Sequence, residues 1–480
     1  MDSQRVLEIF KEITKIPRES GHEEKIIAYL QDFAKKHSLE HKTDSVGNVL
    51  IVKPASPGKE NVPTLVLQSH TDMVCEKNSG VDHDFAKDPI KYIIKDGWMI
   101  APDTTLGADC GIGMAAELAL LESDDTTGRI ECLFTVSEET GLDGAFALSP
   151  GFITGKTLIN LDSEDEGELF VGCAGGLDTT AVFTYDTEEV PEGRHFVKIC
   201  VSNASGGHSG DDIDKGKANA VQILARFLYH TIGITPERYG KMNLCAIDGG
   251  NKRNAIAREA WAILAVEDVD TLIYDYTCFA SDVKSEFAAV EPDLEIYAFK
   301  TDAVSSMIAN KDGWRLITAL CAAPHGVLSM SQDLKGLVET STNLASVKML
   351  ENNKIRVGTS QRSAINSSRK MAGDKVEACF KLAGAEVRHE SEYPGWRPNM
   401  NSKILEICKQ SYEDLFGYKP VVRAIHAGLE CGLFLIKYPD LDMISFGPTL
   451  RGVHAPGERL DLNSLDKFVL LLNDVISRIG

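Results

Sequence analysis

Short apolar runs that each end shortly before an acidic residue or a histidine constrain the fold of this chain most. They occupy residues 64–67, 130–136, 158–161 and 443–446. Short apolar runs closed by polar turns are typical of buried parallel strands. The carboxyl ends of such strands meet at one edge of an open α/β sheet, where ligands bind in a crevice. The pattern therefore predicts an α/β fold with a mostly parallel central sheet flanked by helices, and a site at one edge.

Seven acidic and imidazole side chains lie at these strand ends or in the segments that follow them. They are His70, Asp72, Asp109, Glu138, Glu139, Asp162 and His454. Imidazole together with carboxylate is the ligand set of a hydrolytic Zn²⁺ or Mn²⁺ site. A single acid of this kind is most often a solvated surface residue, but five matched segments in order favour a metal site.

The order His-x-Asp, Asp, Glu-Glu, Asp, His resembles the M20 family of co-catalytic metallopeptidases, over nearly the whole chain. Residues 16–23 are similar to the N-terminal signature of that family. Residues 171–178 and 426–432 resemble its aminoacyl-histidine dipeptidase branch. The resemblance implies a dipeptidase that cleaves Xaa-His dipeptides such as carnosine with two divalent metal ions. Zn²⁺ is the first expectation, and the donors also accept Mn²⁺ or Co²⁺.

The resemblance also implies how the metal ligands divide between the two ions. Asp109 is expected to bridge both metals, because a shared carboxylate lowers their repulsion and fixes their spacing. His70 and Asp162 are expected at one metal, and Glu139 and His454 at the other. Spacing alone leaves this division open.

Two further acids are predicted to act beside the ligands. Asp72 follows His70 by two residues, so its carboxylate can accept the ring N–H and fix the tautomer. Glu138 alternates with Glu139 along an extended segment and should point in a different direction. A carboxylate beside an activated water can take its proton and later pass it to the leaving amine, so Glu138 is predicted as the general base and acid.

Three residues further along the chain are predicted to contact the substrate. By the resemblance, Arg362 occupies the place of an arginine that binds the substrate carboxylate, a task that bidentate guanidinium pairing suits. Asn254 is a further candidate for hydrogen bonding the substrate. By the same resemblance, His208 in a glycine-rich loop is expected to hydrogen-bond the oxyanion of the tetrahedral intermediate. The alternatives are an exposed arginine on a strand and an ordinary histidine at a helix entry.

A chain of 480 residues exceeds the size of a single core, so two domains are predicted. Residues 1–186 and 395–480 alternate helix and strand signals and are expected to form the catalytic domain. Residues 187–394 are expected to form an inserted α+β lid or dimerisation domain. Its βαββαβ order predicts a ferredoxin-like unit followed by a partial second copy. A homodimer through this domain stays open, since the doubled lid can also mimic such a dimer within one chain.

The charge and the apolar pattern limit the partners. A formal net charge of −21 argues against nucleic acid, because phosphate binding depends on clustered Lys and Arg. No stretch approaches the ~20 apolar residues of a membrane span, so no membrane partner is expected. Eleven scattered cysteines without CxxC pairs indicate reduced thiols, and Cys110 is expected to pack as a small apolar group. We therefore expect a soluble cytoplasmic protein that acts on a small dipeptide.

Two other functions stay open from the sequence alone. An M20 amidohydrolase that removes acyl groups from amino acids would use the same ligands. A catalytically silent binding protein on the same fold is the second alternative. The intact Glu138 argues against this second reading, because a silent relative would be expected to lose its base first.

Overall fold

The computed structural model describes residues 1–234 and 242–479. These residues form two compact units. The first unit comprises Met1–Cys173, Trp396–Ala424 and Leu429–Gly480, and the second comprises Ala174–Gly395 and Ile425–Gly428. The sequence instead predicts the first boundary at residues 186 and 187, because the strand that opens the second unit gave no recognised signal.

The helices and strands follow in chain order. The helices are α1 (Ser3–Ile13), α2 (Glu24–Lys36), α3 (Ala108–Glu122), α4 (Glu138–Gly141), α5 (Asp143–Ala147), α6 (Ala220–Leu228), α7 (Val269–Phe287), α8 (Asn310–Ala322), α9 (Asn366–Leu382), α10 (Lys403–Phe416), α11 (Glu430–Lys437) and α12 (Leu462–Ile479). The strands are β1 (Glu40–Thr43), β2 (Val49–Lys53), β3 (Leu65–His70), β4 (Ile93–Lys95), β5 (Trp98–Ile100), β6 (Ile130–Thr135), β7 (Thr157–Asn160), β8 (Glu168–Cys173), β9 (Gly175–Thr184), β10 (Thr187–Glu189), β11 (His195–Ser202), β12 (Asn243–Gly249), β13 (Ala260–Val266), β14 (Glu295–Lys300), β15 (Ser306–Ile308), β16 (Gly326–Met330), β17 (Val338–Leu350), β18 (Lys354–Ser363), β19 (Glu386–Tyr393), β20 (Val421–Ile425), β21 (Asp442–Ser445), β22 (Leu450–Arg451) and β23 (Arg459–Asp461).

The first unit is built on an eight-stranded sheet in the order β1-β2-β6-β3-β7-β21-β8-β20. Its four central strands β6, β3, β7 and β21 are mutually parallel. Strands β2 and β8, which flank these four, pair with them in antiparallel fashion. Every residue of β3 and β6 is buried, as expected for strands covered on both faces. The predicted α/β class with a largely parallel central sheet is confirmed.

Helix α3 lies against this sheet and is buried on nearly all sides. All of its residues from Cys110 to Leu121 are buried. A helix that is apolar all round belongs inside a core, which matches the Ala, Leu and Met content of this segment. The helix begins at Ala108, so Asp109 lies in its first turn at the edge of the sheet.

The second unit contains a nine-stranded sheet whose main path is β14-β11-β13-β12-β17-β18-β9-β19. The half formed by β11, β12, β13 and β14 has the βαββαβ chain order, with α6 and α7 as its helices. The other half has the same spatial order, with β9 as its first strand and with α8 and α9 as its helices. The second set is therefore complete, because β9 precedes the first set in sequence and joins the later strands in space.

Among the helices of the described residues, none combines the length and the apolar character needed to cross a membrane.

Candidate metal centre

Adjacent parallel strands place the candidate ligands at one edge of the first unit's sheet. Strand β3 ends at His70 itself, and β7 ends two residues before Asp162. Strand β6 ends at Thr135, three residues before Glu138. Thr135 pairs with His70, and Asn160 pairs with Gln68, so the three strand ends lie side by side. The loop between β22 and β23 supplies His454.

Asp109 lies between two imidazoles. Its Oδ1 is 3.1 Å from His70 Nε2, and its Oδ2 is 3.2 Å from His454 Nε2. His70 Nε2 also lies 3.3 Å from Asp162 Oδ1, and His454 Nε2 lies 2.8 Å from Glu139 Oε1. The donor atoms therefore fall into two groups, one on each side of the Asp109 carboxylate.

The charge of this donor set favours divalent cations. Five carboxyl groups surround two imidazoles, so the carboxyl groups outnumber the imidazoles by three; they belong to Asp72, Asp109, Glu138, Glu139 and Asp162. Burial raises the pKa of the Glu138 and Asp162 carboxyls, which shows that these acids lack sufficient positive charge around them. Hydrogen bonds with Asp109 and Glu139 raise the pKa of His454 to about 11. An imidazole that binds its proton this tightly shows how strongly the carboxylates attract positive charge. Donor atoms of His70, Asp109 and Glu139 lie within 4.8 Å of one another, which suits a metal ion.

Asp72 connects three segments beneath the ligands. Its Oδ1 lies 3.2 Å from His70 Nδ1 and accepts the Glu138 N–H at 3.0 Å. Its Oδ2 accepts the Ser20 hydroxyl at 2.7 Å and the Glu139 N–H at 3.2 Å. Burial opposes ionisation, but the hydrogen bond with His70 and the other donors lower the pKa of Asp72 to about 2. Its carboxylate stays charged and holds both the ring of His70 and the Glu138–Glu139 turn.

Glu138 has the electrostatic setting of a proton-transfer group. Burial raises the pKa of its carboxyl well above the usual range, and the nearby acids Asp162, Glu430 and Glu139 raise it further. A carboxyl group with a raised pKa can accept a proton near neutral pH and return it.

The chain carries a recognisable family signature. A sequence profile of peptidase family M20/M25/M40 matches residues 66–478. The chain belongs to this family. It is therefore a peptidase, a hydrolase that acts on peptide bonds, and M20 metallopeptidases use two metal ions.

Two relatives match the peptidase over its full length. The cytosol non-specific dipeptidase of Escherichia coli (strain K12) is 40% identical over 482 residues, which cover 100% of this chain and 98% of the relative. The crystal structure of aminoacylhistidine dipeptidase from Vibrio alginolyticus has a TM-score of 0.91 at 39% identity and covers 99% of this chain and 96% of its own. Aminopeptidase PepT from Bacillus cereus shares the fold, with a TM-score of 0.59 at 19% identity and coverage of 100% of this chain and 99% of its own.

Cys110 of the peptidase lies next to the centre, but its thiol points to a carbonyl. Its Sγ is 3.3 Å from the Leu161 oxygen, and burial raises the pKa of the thiol well above its usual range. Its Sγ also lies within 4.8 Å of ligand atoms of His70 and Asp162. In the absence of a metal the thiol keeps its proton and packs as a small buried group.

The predicted substrate contacts form a separate cluster in the second unit. Arg362 is 8% exposed, and its guanidinium donates to Ser209 Oγ at 3.4 Å, His208 Nε2 at 3.4 Å and Tyr393 Oη at 3.3 Å. The Asn254 carbonyl accepts the Ser209 N–H at 2.9 Å, while the Asn254 side chain is exposed. The cluster thus brings His208 and Arg362 into contact and joins Asn254 through its backbone.

Among the described residues, no carboxylate forms a direct ion pair with the Arg362 guanidinium, although the charges of Asp178 and Asp211 interact with it at longer range. In the two described ranges of the chain, no carboxylate oxygen lies within salt-bridge distance of it. A buried cation without a direct ion pair is costly.

His426 belongs to the same cluster, although sequence reasoning gave it no role. Its Nε2 lies 2.7 Å from Ser341 Oγ, and its buried Nδ1 has no hydrogen-bond partner. Burial, together with a smaller effect of the positive charge of Arg362, lowers the pKa of His426 to about 4. The ring is therefore neutral at pH 7. Its motif at 426–432 pointed to a branch of the family, but no spacing connected it with Arg362.

Three buried charged residues of the first unit were also missed. They are Arg18, Glu430 and Glu458, each 2% exposed or less. Glu430 accepts hydrogen bonds from Gln68 Nε2 at 2.6 Å and Thr135 Oγ1 at 2.8 Å, and burial raises its pKa to about 7. In sequence these residues look like ordinary surface charges, and the available signal was that Arg18 lies within residues 16–23 and Glu430 within residues 426–432, two segments that resemble the family.

Proposed function

We propose that this peptidase is a metal-dependent dipeptidase and that Xaa-His dipeptides such as carnosine are among its substrates. The observation that carries the proposal is the Asp109 carboxylate, whose two oxygens face His70 on one side and His454 on the other. The names of the two full-length relatives, a non-specific dipeptidase and an aminoacylhistidine dipeptidase, support the same substrate class.

The donor set fits two divalent ions that share Asp109. In the proposed arrangement, His70 and Asp162 hold one ion, and Glu139 and His454 hold the other. Nitrogen and carboxylate donors suit Zn²⁺, and also accept Mn²⁺ or Co²⁺. When bound, such ions polarise a carbonyl group and lower the pKa of water.

Glu138 carries the proton in the proposed reaction. Its carboxylate takes a proton from the attacking water and returns it to the amine that leaves when the peptide bond breaks. The raised pKa of this carboxyl group supports that task. Asp72 acts through His70, because its carboxylate favours the tautomer with the proton on Nδ1 and leaves Nε2 free to bind.

The cluster in the second unit supplies the proposed substrate contacts. The guanidinium of Arg362 pairs with the terminal carboxylate of the dipeptide, since its described hydrogen-bond partners are hydroxyl groups and an imidazole, none of them a carboxylate. We assign His208 to the oxyanion of the tetrahedral intermediate and Asn254 to a hydrogen bond with the substrate. The proposed setting is the cytoplasm, with neither nucleic acid nor membrane as a partner, and a homodimer is compatible with the chain.

Hydrolysis of a substrate panel tests the proposal. The purified protein, loaded with Zn²⁺ or Mn²⁺, is incubated with carnosine, Ala-His, Leu-Gly and N-acetyl amino acids, and released amines are measured. We expect cleavage of the dipeptides, and the ratio of Ala-His to Leu-Gly rates defines the preference for histidine. Release from the N-acetyl amino acids alone would identify an amidohydrolase. Bound metals without hydrolysis of any substrate would indicate a silent binding protein. The matched control is Glu138→Gln, which should remove activity from the same preparation.

A further inference from the structure

We propose that Glu458 and Arg18 are positioning residues that together fix the Asp109 loop, defined as residues 106–109, relative to the other metal ligands. The proposal rests on the metal-dependent function proposed above. Neither residue is counted among the ligands, and both are buried to 2% exposure in the first unit.

Glu458 binds the Asp109 loop through its backbone. One carboxylate oxygen accepts the N–H groups of Leu106 at 2.7 Å and Gly107 at 3.0 Å. The other accepts the N–H groups of Ala108 at 2.8 Å and Asp109 at 3.5 Å. Four consecutive N–H groups that converge on one carboxylate form a concave anion site, and here the anion is a side chain of the protein itself. These hydrogen bonds restrain the backbone of the loop at four consecutive residues.

Arg18 holds the same loop from its carbonyl side. Its Nη2 donates to the Gly107 oxygen, while its Nη1 donates to the oxygens of Thr71 at 3.1 Å and Asp72 at 2.8 Å. The guanidinium thus ties the Asp109 loop to the segment that starts at His70. Gly107 has φ +70°, and a Cβ there would collide with the Arg18 guanidinium, so this contact explains the glycine.

Glu458 also connects the loop to His454, which lies four residues earlier in the chain. The Gly457 N–H donates to the backbone carbonyl oxygens of Ala101 at 2.9 Å and Thr104 at 3.2 Å. The Ala101 N–H in turn donates to the backbone carbonyl oxygen of Glu458 at 3.0 Å. The backbone that carries His454 is therefore bound to the segment that leads into Asp109. Glu458 sets the separation of the two ligands that face each other at 3.2 Å.

The alternative is that the buried Glu458 carboxylate only stabilises the folded protein and has no effect on the metal ligands. Glu131 provides a matched control for this alternative. It is fully buried and accepts the N–H groups of Thr154 at 2.7 Å and Gly155 at 3.2 Å. Glu131 lies near the start of β6, so its loop is at the opposite edge of the sheet from the candidate ligands. Glu131→Gln and Glu458→Gln make the same chemical change at the two edges.

Metal titration of the apoproteins distinguishes the two roles. Stoichiometry and affinity for Zn²⁺ are measured against a chromophoric chelator, and Co²⁺ spectra report the ligand geometry. We expect Glu458→Gln to weaken metal binding by about 10–100-fold and to change the Co²⁺ spectrum. Glu131→Gln should bind as the wild type does, even if thermal unfolding shows that both variants lose stability.

Wild-type metal affinity in Glu458→Gln, or an equal loss in Glu131→Gln, would overturn the inference. If Glu458→Gln does not fold, Arg18→Lys keeps the charge and loses the forked geometry, so it should weaken metal binding as well. Wild-type affinity in Arg18→Lys would then overturn it. A wild-type protein that binds no metal would instead refute the proposed function.

Discussion

Replacement of Asp72 by asparagine is the sharpest test of how the metal centre is organised. The carboxylate receives hydrogen bonds at both oxygens, from His70 and Glu138 at Oδ1 and from Ser20 and Glu139 at Oδ2. Asparagine keeps one oxygen and replaces the other by an NH₂ group. The less costly orientation places this group at Oδ2, where the Ser20 hydroxyl can turn to accept it. The Glu139 N–H then has no acceptor.

Two effects of similar size follow from this geometry. A buried N–H without a partner costs about 1–3 kcal/mol of folding stability. Loss of the negative charge beside a ligating imidazole weakens metal binding by about 10–100-fold, which corresponds to about 1.4–2.8 kcal/mol. The charge is present throughout the usual assay range, since the hydrogen bond with His70 overcomes burial and holds the pKa of Asp72 at about 2.

The assay compares Asp72→Asn with Asp44→Asn. Asp44 also accepts backbone N–H groups, from Val46, Gly47 and Asn48, but in a turn without candidate ligands. Urea unfolding of the apoproteins should show a loss of stability in Asp72→Asn, and titration with Zn²⁺ should show weaker binding in that variant alone. If Asp72→Asn bound both ions with wild-type affinity and hydrolysed Ala-His at the wild-type rate, the reasoning would be wrong.

Four further results are expected. Glu138→Gln should lower kcat by about 10²–10⁴-fold while elemental analysis finds both metals retained, because a proton-transfer group and not a ligand is changed. Asp109→Ala should lose metal from both positions and His454→Ala mainly from one. Two full equivalents of metal ion in purified Asp109→Ala would contradict the proposal that both ions share Asp109. His208→Ala should lower kcat by about 10²–10³-fold with a smaller change in KM, as steady-state kinetics will show. Burial raises the pKa of Glu430 from 4.5 to about 7, so the folded apoprotein binds this proton more tightly than the unfolded chain does. The free energy of unfolding of the wild type should therefore fall by about 3 kcal/mol, relative to that of Glu430→Gln, as the pH rises from 5 to 8. Urea unfolding of both proteins at both pH values measures this difference.

The central sheet was predictable because its strands have a local signal. Strands β3, β6, β7 and β21 are short and apolar, and each is followed by polar residues with a strong chemical identity. Strand β9 gave no such signal, since its sequence from Gly175 to Thr184 contains glycines, threonines and an aspartate. Its membership in the second half of the other sheet depends on pairing with β18 and β19, which lie more than 150 residues later in the chain. Pairings of this range cannot be inferred from local periodicity.

The candidate ligands and Asp72 could be proposed from the sequence, whereas Arg18 and Glu458, which bind the Asp109 loop, could not. His70 is the last residue of β3 and Asp162 follows the end of β7 by two residues, so the sheet topology brings them together. Arg18 and Glu458 bind backbone groups of a loop that is distant in sequence. Every residue type has these backbone groups, so no sequence pattern reveals which of them will be bound. Burial decides their role, and burial of a charged side chain becomes visible only when the packing is known.

The position of β21 in the sheet has a consequence for synthesis of the protein. This strand pairs with β7, but about 280 residues, including the whole of β9 to β19, are made between the two. A nascent chain on the ribosome therefore exposes His70, Asp109 and Asp162 long before it contains His454. A translation product interrupted before β21 would keep four of the five proposed ligands and lack only His454, so it could hold an ion at the first position without completing the second. The second proposed metal position is therefore complete only in a chain that has been made as far as His454.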